Sequence, residues 1–145
     1  MFVIHCGSDL SFSDSAYTCS FCVETDDGCF PSAEWDDFPL VVLGWWIREL
    51  KAVFISPGAR TFEFRFMDGP YRILCQKSGN DLTLSFMHDM MTDLPDCITS
   101  IPEMYSAICI ALDSLHRRLF LAGHPELIPP VKQLQAELKA MENHI

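Results

Sequence analysis

Cys19-Ser20-Phe21-Cys22, with Cys29 downstream and His5-Cys6 upstream, is the one group in this sequence whose spacing suits a metal. Zinc takes tetrahedral thiolate and imidazole ligands, and a C-x-x-C knuckle presents two of them from one tight turn. Here the pair lies inside an alternating stretch, Tyr17 to Val23, that has no knuckle glycine, and no second C-x-x-C completes the set. On a strand, residues three apart point to opposite faces, which works against shared coordination. For catalysis, His88-Asp89 offers an oriented acid–base histidine, with Cys75 or Cys97 as the nucleophile. Five histidines and seven cysteines produce such pairings by chance, and a histidine at a strand end is ordinarily a solvated turn residue. His5, in a strand, and His116, on a helix ending in arginines, have equally ordinary readings. No G-x-S-x-G, glycine-rich phosphate loop or H-E-x-x-H occurs. The sequence therefore supports no catalytic residue, metal ligand or cofactor. A small cysteine/histidine enzyme, or a zinc-stabilised protein built on Cys19, Cys22 and Cys29, stands as the alternative.

Residues suited to gripping another protein are more abundant. Trp35, Trp45 and Trp46 fall within twelve residues of one another. Tryptophan is a core residue first, but it is also enriched at interface hot spots worth about 2 kcal/mol or more. Beside these lie Asp26, Asp27, Glu34, Asp36 and Asp37. Trp35 or Trp45 as anchor and the carboxylates as rim give a predicted partner-binding set of Asp26, Asp27, Glu34, Trp35, Asp36, Asp37 and Trp45.

Charge distribution points the same way. The net charge is −10, and no lysine or arginine occurs from Met1 to Ile47 or from Ser78 to His116. The second interval carries Asp81, Asp89, Asp93, Asp96, Glu103 and Asp113. Such a chain repels phosphate backbones and anionic lipid, which argues against nucleic-acid and membrane binding. An acidic face can instead steer a basic protein toward it, although acidity also serves solubility alone.

The elements that must position these residues follow from periodicity. Phe2 to Cys6 and Ala16 to Glu24 alternate as strands, the latter with Tyr17, Cys19, Phe21 and Val23 on one face. Gly7 to Ser15, rich in serine and aspartate, reads as a loop, as does Thr25 to Glu34. The spacing of Leu40, Leu43, Ile47, Leu50 and Phe54 predicts a helix over 38–54, with Asp36 and Asp37 at its head and Pro39 in its first turn. Residues 60–87 read as a three-strand meander: Phe62, Phe64 and Phe66 alternate, Asp68-Gly69-Pro70 and Ser78-Gly79-Asn80 turn the chain, and Leu82, Leu84 and Phe86 alternate again. Residues 88–99, interrupted by Pro95, are expected to form a loop. Ser100-Ile101-Pro102-Glu103 is a capping box that opens a helix over 100–122, closed by Gly123. Pro129-Pro130 begins a last helix over 130–144, with Val131, Leu134, Leu138 and Met141 on its stripe.

This order predicts a single α+β domain over 1–145, an antiparallel sheet with helices packed on one face. The length is enough to bury roughly two-thirds of the chain's surface. No secretory signal or membrane-spanning run is evident, and the odd number of cysteines fits free buried thiols, so the expected compartment is the cytoplasm.

Trp35-x-Asp37-Phe38-Pro39, Leu43-x-Trp45-Trp46 and Phe66-Met67-Asp68-Gly69-Pro70-Tyr71 together resemble small bacterial immunity-type proteins. These are encoded beside polymorphic toxins, including contact-dependent growth inhibition systems. The likeness covers about a quarter of the chain. It implies a non-enzymatic cytoplasmic inhibitor that binds one cognate toxin domain, often a nuclease with a basic cleft. A homo-oligomeric domain, pairing through its surplus apolar helix face, is the remaining alternative.

Overall fold

The computed structural model describes residues 1–14, 16–58, 60–67 and 69–144. Ser15, at the end of the expected Gly7–Ser15 loop, and Asp68, which opens the expected Asp68-Gly69-Pro70 reversal, lie outside the described residues. The fold is α+β, with two four-stranded antiparallel sheets and three α-helices among the described residues.

The first sheet is organised on β2 (Ala16–Thr25), whose Tyr17, Cys19, Phe21 and Val23 are all buried as their period-two spacing requires. β1 (Val3–Ser13) lies along one edge of β2. Two short strands share the other edge at opposite ends: β3 (Gly28–Phe30) sets Phe30 against Val23, and β4 (Asp36–Asp37) sets Asp37 against Cys19. The second sheet runs in sequence order through β5 (Thr61–Arg65), β6 (Tyr71–Ser78), β7 (Asp81–His88) and β8 (Met91–Ser100).

Four expectations need correction. Thr25–Glu34 is not a loop throughout, since Thr25 ends β2 and Gly28–Phe30 form β3. Gly7–Ser15 is not a loop up to its undescribed last residue, because β1 continues to Ser13 through two register shifts. Gly7 and Asp9 adopt positive φ (103° and 55°) there, which lets a strand of poor β-formers bend without ending. Residues 88–99 are not a loop either. They hold β8, so the meander has four strands. Pro95 misleads because it sits in a register shift on the outermost strand, where its missing N–H costs no ladder bond. Finally, the strands make two sheets rather than one, which share no ladder and meet through side chains of β2 and β3.

That packing is aromatic. Phe21 meets Trp46 at 5.4 Å between ring centroids, and Phe30 meets Phe66 at 5.6 Å and Phe86 at 5.2 Å. These edge-on and tilted geometries suit ring quadrupoles. α1 (Pro39–Ile55) supplies Trp46, fully buried, whose indole N–H donates to the Arg65 carbonyl at 2.8 Å. The buried stripe of α1 is Val42, Leu43, Trp46, Ile47, Leu50 and Val53. Of the predicted stripe, Leu40 and Phe54 lie at its margins, half-buried. The stripe shifts because Trp46, with the largest apolar surface, takes the centre. At the end of α1, Lys77 Nζ donates to the carbonyls of Val53 (2.9 Å) and Ser56 (2.8 Å), supplying the cation that the last turn itself lacks.

α2 (Ile101–Leu121) begins as read, with Ser100 Oγ accepting from Glu103 N at 3.2 Å. The Glu103 carboxylate accepts from Thr99 Oγ1 at 2.7 Å. α2 seats on the bulge of β1, where Ser114 Oγ donates to the Cys6 carbonyl at 2.9 Å. α3 (Ile128–Met141) docks through Val131, Leu138 and Met141, with Leu134 half-buried, and its Leu138 carbonyl accepts from Tyr105 Oη at 3.1 Å. None of the helices among the described residues is long and apolar enough to cross a membrane.

Candidate functional site

The structure divides the predicted binding set into three places. Glu34, Trp35, Asp36 and Asp37 lie at the head of α1. Asp37 is buried to 1% exposure. Its Oδ2 accepts from Trp35 Nε1 at 3.0 Å and from Met67 N at 3.2 Å, and its Oδ1 accepts from Phe38 N at 2.8 Å. A carboxylate so occupied ties β4, the start of α1 and the β5–β6 turn together. It is a fold determinant, and its assignment to a partner-binding rim is corrected on that ground. Trp35 is half-buried and belongs to the same knot. Its carbonyl accepts from Phe21 N at 2.9 Å, and its ring packs edge-on against Tyr71 at 5.0 Å. A Cβ at Gly69 would come within 3.2 Å of the indole, so the positive φ of Gly69 (78°) and its lack of a side chain both seat this tryptophan. Only Asp36 and Glu34 of this group are exposed.

Trp45, also half-buried, lines a shallow cleft with Arg48, Glu49, Glu63 and Arg65. Arg65 Nε pairs with Glu63 Oε1 at 2.8 Å, and Arg72 approaches the same oxygen at 3.7 Å. Charges of both signs flank Trp45, so no acidic rim surrounds it.

Asp26 and Asp27 sit on the β2–β3 turn, exposed, at the far end of β2 from Asp36. Thr25, next to Asp26, and Ser20, opposite Asp36, are about 17 Å apart at a strand's rise per residue. What lies beside Asp26 and Asp27 is β8. A Cβ at Gly28 would stand 3.6 Å from Leu94 Cδ2. Met1 N approaches Asp26 at 3.5 Å, and the Cys97 thiol donates to the Met1 carbonyl at 3.7 Å. The Cys97 thiol is pushed up in pKa by burial first; the N-terminal amine opposes this, and Glu103, Asp26 and Asp27 add to it. Those three carboxylates therefore lie within electrostatic reach of Cys97. β8 contributes Asp93 and Asp96 at its register shifts, and it exposes Met91 (72%) and Ile98 (71%).

The two intervals without lysine or arginine thus meet in space. The acidic face pairs the β2–β3 turn with the edge strand β8, and Asp93, Asp96, Met91 and Ile98 are the surface residues that sequence reasoning missed. A signal was present, since Asp93 and Asp96 fall within the second basic-free interval. Reading 88–99 as a loop kept them from being placed beside Asp26.

The cysteine and histidine groups are likewise separated. Cys19 faces the core beside Cys6, while Cys22 and Cys29 lie on the opposite face of the first sheet. Among the described residues, no group of three or more His, Cys, Asp and Glu side chains is placed to hold a metal ion. Cys75 and Cys97 both flank Leu84, while His88 lies four residues along β7, roughly 13 Å away. The His88 ring packs on Tyr71 at 4.7 Å. The Cys75 thiol is fully buried and pushed up to about 12, by burial and then by Glu49. The acid–base and nucleophile pairing is not assembled.

No protein-family model, curated protein or solved structure matches this chain.

Proposed function

We propose that this chain is a binding protein without catalytic activity, an immunity-type inhibitor that neutralises a basic toxin domain by protein–protein contact. The observation that carries the reading is that the β2–β3 turn, with exposed Asp26 and Asp27, lies against β8, where Asp93 and Asp96 are exposed alongside Met91 and Ile98, the latter two on opposite faces of the strand; both basic-free intervals contribute to this region. Carboxylates attract a cationic surface from a distance and raise the encounter rate. Apolar side chains among them supply the short-range burial that charge alone does not give. The resemblance of the Trp35 and Phe66–Tyr71 stretches to immunity proteins supports the class of partner. The structure gives those stretches a folding role, so the resemblance marks the scaffold and the acidic edge carries the binding.

The test uses the C-terminal domain of the protein encoded immediately upstream, with association followed at low and high salt. One-to-one binding is expected, with an association rate that falls at least tenfold as salt rises to about 0.5 M. Joint reversal of Asp26, Asp27 and Asp96 to lysine should produce a similar fall at low salt. An upstream protein without a toxin domain, or association indifferent to both salt and reversal, rejects the reading.

A further inference from the structure

β2 carries two cross-strand pairs of thiols, one on each face. Cys6 stands opposite Phe21, which makes it the diagonal neighbour of Cys19, and both thiols face the core. Gly7 N donates to Cys19 Sγ at 3.3 Å. On the other face, Cys29 stands opposite Glu24 on β2, which makes it the diagonal neighbour of Cys22. The two pairs match in placement and differ in access. Cys6 and Cys19 are buried at 8% and 0% exposure, whereas Cys29 is half-exposed above a buried Cys22.

We propose that Cys22 and Cys29 are a reversible thiol–disulfide pair, with Cys29 meeting the oxidant and Cys22 closing the bond. Diagonal neighbours have Cβ atoms somewhat under ~7–8 Å apart, and a disulfide needs ~3.5–4.5 Å, so the strands must draw together. β3 can do so because it is three residues long and at a sheet edge, joined to β2 by a tight turn. With a hydroperoxide as oxidant, the Cys29 sulfur attacks the peroxide oxygen, the O–O bond breaks and an alcohol or water leaves. The resulting sulfenic acid is attacked by the Cys22 sulfur, the S–S bond forms and hydroxide departs as water with the Cys22 proton. Two electrons pass from the thiols to the peroxide. The register sets His5 directly opposite Cys22, and Glu24 Oε1 holds its imidazole at 2.8 Å, so a base stands at the neighbouring position to pass that proton to the departing hydroxide. The loop so closed, residues 22–29, includes Asp26 and Asp27.

The experiment treats the native full chain with hydrogen peroxide, blocks free thiols with N-ethylmaleimide and maps the product. Trypsin cannot separate these cysteines, since the first basic residue is Arg48, so a protease cutting at Asp and Glu is used. Two of the seven thiols should be lost, in one Cys22–Cys29 link reversed by dithiothreitol, with Cys6 and Cys19 still alkylated after unfolding. In Cys22→Ser, oxidation should stop at a Cys29 sulfenic acid trapped by dimedone. A Cys6–Cys19 link forming first, or Cys29 oxidised in the native chain with Cys22 still a free thiol, overturns the proposal. The wild-type map decides the matter even if a serine variant does not fold.

Discussion

Replacing Asp37 tests whether the head of α1 holds the fold together or serves a partner. In Asp37→Ala, Trp35 Nε1, Phe38 N and Met67 N lose their acceptor at once. An orphaned buried donor costs about 1–3 kcal/mol. The lower end applies here, because Trp35 and Phe38 are half-buried and Met67 is exposed, so water can reach part of the gap. The expected loss is about 2–4 kcal/mol, a large share of a typical total of ~5–15 kcal/mol. Asp37→Asn separates geometry from charge. Its single oxygen can replace Oδ2 and keep two donors, but its amide then faces Phe38 N, so about 1–2 kcal/mol should be lost. Asp36→Ala, on the exposed neighbour, should stay within about 0.5 kcal/mol of the parent. Urea unfolding followed by tryptophan fluorescence measures all three, since Trp35 and Trp46 both sit in packed aromatic surroundings. Equal stability for Asp37→Ala and Asp36→Ala would refute the assignment and return Asp37 to the list of surface carboxylates.

Further substitutions probe other parts of the fold. Gly7→Ala should cost about 1–2 kcal/mol by denaturant titration, since φ there is 103° and the new Cβ would lie 3.1 Å from Arg118 Cγ. Tyr17→Phe should raise the thermal midpoint or leave it unchanged, because the buried Tyr17 hydroxyl has no hydrogen-bond partner among the described residues; a midpoint several degrees lower would show a partner is lost. Thiol reactivity should follow exposure. At pH 8 in the native protein, the half-buried Cys29, Cys97 and Cys109 should alkylate ahead of the buried Cys6, Cys19, Cys22 and Cys75. Cys22, pushed up to about 11 by burial and by Cys29, is then almost wholly the unreactive thiol. Its rate should climb roughly tenfold per pH unit until pH reaches that value, provided the fold holds.

The fold was readable where one face of an element is buried and the other wet. Ala16–Thr25, the strands from Phe62 to Phe86 and the Ser100 cap all follow that rule, and each appears close to its expected bounds. It was unreadable where polar residues occupy a strand edge. Ser8, Ser11 and Ser13 in β1 carry loop chemistry yet pair with β2, and Asp93, Pro95 and Asp96 sit in the register shifts of a strand whose Thr92, Leu94 and Cys97 are paired with β7. Tertiary pairing overrides local preference there. The site suffered from a different blindness. Proximity in sequence grouped Asp26 with Asp37, whereas β2 separates them and the packing of the two sheets brings Asp26 toward Cys97, with Met1 touching both. Trp35 and Asp37 looked like anchor and rim because a hydrogen-bonded Trp–Asp pair reads the same from its residue types whether it faces water or the interior.

The form of β8 bears on how the acidic edge can bind. An exposed outer strand is a template for an added strand, and proteins that avoid this use bulges, proline and charge on the edge. β8 has all three: register shifts on either side of Phe86, Pro95 with no N–H to donate, and Asp93 and Asp96 at the irregular positions. A partner cannot continue a regular ladder past Pro95, so main-chain addition would be confined to the few residues on each side of it. On the function proposed above, contact would run through side chains, with the aspartates as charge and Met91 and Ile98 as separate apolar points on the two faces of the strand. Binding of that kind depends on which cations the partner presents and where. The features that protect the edge from indiscriminate pairing are therefore the same ones that would let it select a single basic surface.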